Sequence, residues 1–533
     1  MILPNQNNEI SIIPVKVSGI SCILPKGTIE RSLLARQTLP KMEFDVRTKK
    51  MKYVGKEEIE TPLYTSISKT EISIGLPAIL YLVKNNKENI RIKFTEFSPK
   101  RLPLNMAWEI PDGIKNAPKF RVNGKERYYF HEAVEACRKN AFGTIKLATG
   151  AGKTEIELTV AYNQSNYIGR GLIVVPTLSI RDQTLKRATE LYKMDIIEYK
   201  EACELLDRGV PLDAIPKIII GLPISMLGDI EHKKYQELTN SFSWIIGDEC
   251  HRFGCDTWNK VVMSFPNIVR CHGFSALPVD PNTKYADSFI QIEHKDAMTI
   301  AAAGDVIYEK TAKELEEFLN LPILVNFHYQ WTNYPSEIRD LLDWNKLCKE
   351  MLTNEDRNSV IASIFNLLSN LSYNSISYVS RKALGEQILK HCDEKTLCWY
   401  GGDTFITSEN SVINKLKNFK QDNLKECFGD KYKSILASSH AIEGIDFSCP
   451  LNALILTEGK SERQGLQKVG RIIRPSSRKS LIINFYDDNI KILKSQAKSR
   501  RDNAIKEFHC QSIDVYTIND LSALINNLTY DKI

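Results

Sequence analysis

From Glu9 to about Lys115, apolar and polar residues alternate with a period of two. Met42, Phe44 and Val46 interleave with Glu43, Asp45 and Arg47, and Ile90, Ile92 and Phe94 interleave with Arg91 and Lys93. Alternate side chains of a strand point to opposite faces, so this period predicts half-buried strands. Turn residues such as Pro25-Lys26-Gly27 punctuate the segment. Residues 1–115 are therefore expected to form a β-rich accessory domain. The pattern changes at about Asn116, where short β-branched runs begin to alternate with amphipathic helical stretches. That is the rhythm of a parallel sheet covered by helices. Strand candidates are Thr144 to Ala148, Leu172 to Val175, Ile218 to Gly221 and Trp244 to Gly247. The rhythm weakens between about Pro278 and Lys349. It resumes at Ile376 to Val379, Leu397 to Tyr400, Ser434 to Ala437, Leu454 to Thr457 and Leu481 to Phe485. The expected fold class is α/β, with one lobe over 116–310 and a linker plus second lobe over 311–533.

A chain of 533 residues is long enough for two or three cores. No apolar run reaches the roughly 18 residues of a membrane span, and the polar start lacks a signal-peptide pattern, so an intracellular, soluble protein is expected. The 12 cysteines show no Cys-x-x-Cys pair and read as reduced thiols, with neither a disulfide framework nor a zinc site expected. A formal charge of +6 is compatible with a polyanionic partner without demonstrating one.

The strongest chemical signal is Ala148-Thr149-Gly150-Ala151-Gly152-Lys153-Thr154, lying between an expected strand and an expected helix. A tight loop in that context can wrap backbone N–H groups around phosphate oxygens, and the helix dipole adds positive potential. Lys153 is then expected to reach the β- and γ-phosphates of ATP, and the Thr154 hydroxyl to bind Mg²⁺. Leu147 stands where the strict loop pattern has its first glycine. The second signal is Asp248-Glu249-Cys250-His251, directly after Trp244-Ile245-Ile246-Gly247. Asp248 is the expected Mg²⁺ ligand at a strand's carboxyl end, and Glu249 the expected base for the attacking water.

The Asp-Glu-Cys-His run resembles the signature of superfamily 2 DExH helicases, and further motifs of that family follow in order from about Arg127 to Pro475. Val175-Pro176-Thr177 with Gln183 is similar to motif Ia, Gly221 with Ser225 to motif Ib, and Gly273-Phe274-Ser275-Ala276-Leu277-Pro278 to motif III. Ser438-Ser439 with Glu443-Gly444-Ile445-Asp446 resembles motif V, and Gln467-Lys468-Val469-Gly470-Arg471-Ile472-Ile473-Arg474 resembles motif VI. The three-residue spacing of Arg471 and Arg474 puts both on one helical face. Two departures stand out. Phe130 occupies the place of the family's adenine-reading glutamine, and motif III has Leu277 in place of a hydroxyl residue.

The resemblance implies two tandem RecA-like lobes that bind ATP and Mg²⁺. It assigns Thr149, Gly150, Ala151, Gly152, Gly444, Asp446 and Gln467 to the nucleotide, and Arg471 and Arg474 to an arginine-finger role. Pro176, Thr177, Gly221, Ser225, Ser438 and Ser439 are assigned to the nucleic-acid backbone. His251, Ser275 and Ala276 are assigned to coupling hydrolysis to strand movement. The front domain and the motif variants look most like the phage UvsW-like and XPB-like DNA helicases. DNA, in duplex, forked or single-stranded form, is thus the expected partner, with a nucleic-acid-binding role for residues 1–115. An RNA helicase and the motor of a restriction or defence complex are the alternatives.

Overall fold

A computed structural model describes residues 11–18, 21–26, 33–45, 50–85, 90–94, 108–117, 120–122, 124–279, 289–332, 334–341, 343–401, 404–417, 419–438, 447, 449–459, 469, 472–473, 476 and 478–530. The chain divides into two compact units, 1–147 with 152–309 and 148–151 with 310–533.

In the first unit, a seven-stranded sheet has the order Ile196–Glu198, Ile218–Gly221, Gly171–Val174, Trp244–Asp248, Arg270–Ser275, Phe142–Leu147 and Val306–Lys310. The registered pairs from Ile196–Glu198 through Phe142–Leu147 are all parallel. The central strands read as continuous apolar runs because helices cover both faces. From Phe142–Leu147 the chain passes over two neighbouring positions to reach Gly171–Val174. The strands that fill those positions, Trp244–Asp248 and Arg270–Ser275, come later in sequence. Ligands of such sheets bind at the carboxyl ends of strands where the winding reverses, which is where both candidate motifs fall.

The connecting helix Lys153–Tyr167 is not amphipathic: Ile156, Leu158, Val160 and Ala161 are buried along with Glu155, Glu157, Thr159, Asn163 and Gln164. A helix sealed on all sides must satisfy its polar groups internally. Thr159 donates to Glu155 O, Asn163 donates to Glu109 O, and Gln164 pairs with His272.

The amino-terminal segment supplies a five-stranded sheet, ordered Thr65–Ser66, Glu71–Gly75, Ser21–Pro25, Ser11–Ser18 and Ile90–Phe94, and a long hairpin of Leu34–Asp45 with Lys50–Pro62. Its apolar residues share one core with Phe289, Ile292, Ala297, Ile300 and Ala301, the last three on the helix His294–Ala303.

The second unit is built on a nine-stranded sheet. Ile376, Leu436, Ile455 and Ile483, all fully buried, lie on neighbouring parallel strands. An antiparallel pair, Phe405–Glu409 with Val412–Lys415, closes one edge. At the other edge, Ile323–Tyr329 lies between Leu481–Asp487 and Ser512–Val515. The parallel first sheet and the mostly parallel second sheet, with their flanking helices, give the expected α/β class.

Candidate nucleotide and nucleic-acid site

Strand Phe142–Leu147 runs into the loop Ala148-Thr149-Gly150-Ala151-Gly152 and the helix that begins at Lys153. Gly150 and Gly152 have φ of 83° and 81°, in the left-handed region that glycine alone enters without steric cost. At Gly152 the space is closed as well: a Cβ there would lie 2.7 Å from Phe130 Cζ and 3.1 Å from Arg127 Nη1. Gly152 is also the helix N-cap, and no side chain caps this end. That arrangement presents first-turn N–H groups to an anion. Thr149 and Thr154 are half-buried, and Ala151 is buried.

Lys153 Nζ lies 3.3 Å from Leu147 O, its charge set against three carboxyl groups, Glu157, Asp248 and Glu249. Burial, then the charge of Asp248, pushes Glu157 well above the usual carboxylate range. Burial and the neighbouring Glu249 raise Asp248 too, and a carboxyl–carboxyl hydrogen bond joins it to Glu157. Burial works against ionised Glu249 as well, but a hydrogen bond from His251, the charge of Lys153 and the Ser275 hydroxyl outweigh it and hold Glu249 low. The cluster therefore keeps Glu249 ionised while Asp248 and Glu157 lack sufficient positive charge.

Such a pocket fits a divalent cation. Glu157 Oε1 is buried without a hydrogen-bond partner among the described residues. Among them, too, no three His, Cys, Asp or Glu side chains converge as a complete metal cage. Mg²⁺ commonly takes one or two protein oxygens and completes its shell with phosphate and water.

Strand Trp244–Asp248 ends at the turn that aims Glu249, whose φ of 51° is a strained value for a residue with a side chain. Asp248 Oδ1 accepts the Glu249 N–H at 2.9 Å. Ser275, at the end of Arg270–Ser275, donates to Glu249 Oε2 at 3.2 Å, and His251 Nδ1 lies 3.2 Å from Ser275 Oγ and 3.4 Å from Glu249 Oε2. Leu277 closes the network through its backbone N–H, 3.2 Å from Ser275 Oγ. Its lack of a hydroxyl therefore leaves the link intact. Ala276 is buried beside it.

Of the residues assigned to nucleic acid, Pro176 and Thr177 follow Gly171–Val174, and Gly221 ends the strand paired with it. Thr177 caps the helix Leu178–Lys186, its side-chain oxygen accepting the Ile180 N–H. Ser225 sits in the first turn of Pro223–Glu231. Ser438 ends strand Ser434–Ser438. Ser439, Gly444, Asp446, Gln467, Arg471 and Arg474 lie outside the described residues.

Sequence reading overlooked three features. Glu157 could have been found from its four-residue spacing from Lys153 on one helix. Arg127 is buried against the loop. Leu178 and Ile224 are 57% and 78% exposed, each near the first turn of a helix that follows a nucleic-acid-assigned strand end.

The parallel sheet, the glycine loop with its lysine, and the acidic strand end define a P-loop nucleotide hydrolase. The family described as "Type III restriction enzyme, res subunit" matches residues 123–280. "DNA 3'-5' translocase XPB2" of Sulfurisphaera tokodaii is 24% identical over 392 residues, covering 67% of this chain and 81% of that protein. "Putative helicase 22" of the Sulfolobus islandicus filamentous virus is 22% identical over 373 residues, covering 67% of this chain and 62% of that protein. In fold, the chain is similar to S. cerevisiae Dbp5, solved bound to RNA and ADP BeF3, with a TM-score of 0.52, 16% identity and coverage of 80% of this chain and 98% of that one. The ordered motifs and these likenesses support a helicase of superfamily 2. No helix among the described residues is long and apolar enough to cross a membrane.

Proposed function

We propose that the chain is an ATP-driven DNA helicase or translocase acting on duplex or branched DNA. The observation that carries this reading is the buried cluster of Lys153, Glu157, Asp248 and Glu249, joined through His251 and Ser275 to the end of a neighbouring strand. The translocase name borne by the S. tokodaii relative supports DNA as the polymer.

The glycine loop and the first-turn N–H groups hold the triphosphate, and Lys153 neutralises its β- and γ-oxygens. Thr154 and Asp248 would hold Mg²⁺, which would supply Lewis-acid stabilisation of charge on the phosphate oxygens. Glu249, kept ionised, orients the attacking water and takes its proton. Because the Glu249 carboxylate is tied to Ser275 and His251, a change in its charge alters the hydrogen bonding of the strand end beside it. This is a direct route from hydrolysis to motion. By the family resemblance, Arg471 and Arg474 stabilise charge on the transferred group, and Gly444, Asp446 and Gln467 line the nucleotide. Pro176, Thr177, Gly221, Ser225, Ser438 and Ser439 follow the phosphate backbone, with Leu178 and Ile224 against sugar or base faces. Contacts of this kind weaken with salt and read little sequence. The division of labour is then a nucleotide-binding lobe over 116–310, a second lobe over 311–533, and a nucleic-acid-binding front segment over 1–115.

Steady-state ATP hydrolysis, measured alone and with single-stranded, duplex and forked DNA and RNA of matched length, tests this. Stimulation by duplex or forked DNA is expected, and stimulation by RNA alone would overturn the choice of polymer. The family description matching residues 123–280 favours one second reading, a motor that serves a restriction nuclease. Copurification of a DNA-cleaving subunit would favour it.

A further inference from the structure

We infer that Tyr192 is a positioning residue that ties the helix carrying Lys153 to the helix assigned to nucleic acid, so that nucleotide and DNA each alter the affinity of the other. This inference rests on the helicase reading above. Glu155 lies in the first turn of Lys153–Tyr167, two residues beyond Lys153, and is 1% exposed. The Tyr192 hydroxyl donates to Glu155 Oε1 at 3.0 Å, and Arg187 Nη1 lies 3.6 Å from the same oxygen. Burial, then the charge of Glu155, pushes the Tyr192 hydroxyl well above its ordinary pKa, so it stays a donor. Gly113 closes on the same tyrosine from the segment Asp112–Lys115: a Cβ there would lie 2.8 Å from Tyr192 Cα and 2.9 Å from Tyr192 O. The Tyr192 backbone is therefore held as well as its hydroxyl.

Arg187 and Tyr192 bracket a single turn of π-helix, Arg187–Leu191, and the Tyr192 N–H donates to Arg187 O at 3.0 Å. One carboxyl group thus grips both ends of that turn. The turn continues directly from Leu178–Lys186, the helix capped by Thr177. Such turns are rare and concentrate at functional sites. Its i→i+5 bonding and the i→i+4 bonding of the helix before it are two discrete arrangements of one backbone, so a pull on either end favours one or the other. An element with two arrangements is what energetic coupling between sites requires. Phosphates held at the first-turn N–H groups would fix the turn that carries Glu155, and a strand against Thr177 would fix the other end of the same path. Coupling between two ligands is reciprocal and commonly changes affinity roughly 5- to 150-fold.

The test is the affinity of the full-length protein for fluorescently labelled forked DNA, with and without Mg²⁺ and a non-hydrolysable ATP analogue, for wild type and Tyr192→Phe. The substitution keeps the ring and removes the hydroxyl. Wild type is expected to show a ratio of the two dissociation constants of at least about 5, and Tyr192→Phe a ratio within about twofold of one, while the affinity for the analogue alone is unchanged. Melting temperatures separate this role from a structural one. A variant that melts earlier and binds both ligands more weakly, yet keeps the wild-type ratio, would overturn the inference. Should Tyr192→Phe melt too low to measure, Arg187→Gln loosens the other arm of the grip and should lower the ratio in the same way, an unchanged ratio again being the contrary result. If wild type binds neither DNA nor the analogue, the helicase reading falls together with the inference. If it binds both with no effect of one on the other, only the inference falls.

Discussion

Glu249 and His272 show how single side chains are set by their surroundings. Glu249 lies in the left-handed region, and Ser275, His251 and Lys153 hold its carboxylate ionised, as a proton acceptor requires. Glu249→Gln keeps the shape and removes the base. Nucleotide binding should persist while kcat falls at least about 100-fold, the lower range for general base catalysis. Equal hydrolysis by variant and wild type would show that another group takes the proton. His272 lies on the strand that ends at Ser275, yet it serves stability. Its Nε2 lies 2.9 Å from Asn140 O and its Nδ1 3.1 Å from Gln164 Nε2, so the neutral ring donates at one nitrogen and accepts at the other. Burial, then the charge of Arg270, lowers its pKa from 6.5 to about 3. Below pH 6.5 the unfolded chain takes up this proton and the folded chain does not, so stability is intact above that pH and is lost as pH falls toward 3. The expected loss is about 1.4 kcal/mol for each pH unit inside that window. Urea midpoints followed from pH 7 to pH 4 should fall less steeply for His272→Gln, and parallel curves would refute the assignment.

Among the elements, helix Glu355–Asn370 and strand Leu481–Asp487 are locked by a buried ion pair. Arg357 Nε lies 2.7 Å from Asp487 Oδ1, with both side chains essentially inaccessible. Trp331 Nε1 donates to the same oxygen at 2.6 Å, and Arg357 also reaches Thr457 O. Removing one partner strands the other charge in the core, so Asp487→Ala should lose roughly 3–5 kcal/mol in chemical denaturation. The double variant Arg357→Met, Asp487→Leu should recover much of that loss, and a loss as large as the single variant's would mean that the pair itself adds net stability. This pair also shows why some elements were legible in sequence and others were not. Strands such as Ile218–Gly221, apolar throughout, announced themselves within a residue of their observed ends. Ile323–Tyr329 did not, because Asn326 and His328 break its apolar run, and their partners, Asp514 and Asp488, are more than 150 residues away. Val306–Lys310 was equally silent as a half-buried edge strand with charged Glu309 and Lys310. At the site, the glycine loop and Asp248-Glu249 were readable because local spacing encodes them. Glu157 was hidden because its meaning depends on Asp248, which folding brings to it from another strand.

At the scale of the whole chain, the amino-terminal strands were read as a domain of their own, yet their apolar face is covered by residues 289–301 of the same compact unit. Gly75 approaches the helix closely: a Cβ there would lie 1.9 Å from Ala301 O, a backbone atom of helix His294–Ala303. No side chain can fit there unless the sheet and the helix separate. Separation would expose Leu76, Ile79, Ile300 and Ala301, all buried in the shared core. Apolar surface contributes about 25 cal/mol per Å² removed from water, so opening even 100 Å² costs about 2.5 kcal/mol. Gly75→Ala should therefore lower the melting temperature of the whole first unit in one cooperative transition, with the nucleotide site melting alongside the front segment. Calorimetry with and without ADP distinguishes the possibilities. A single transition, shifted down by the substitution and up by the nucleotide, is expected of one core. A separate early transition insensitive to ADP would mean that residues 1–115 fold and unfold on their own, and that the covered face contributes little to the nucleotide-binding lobe.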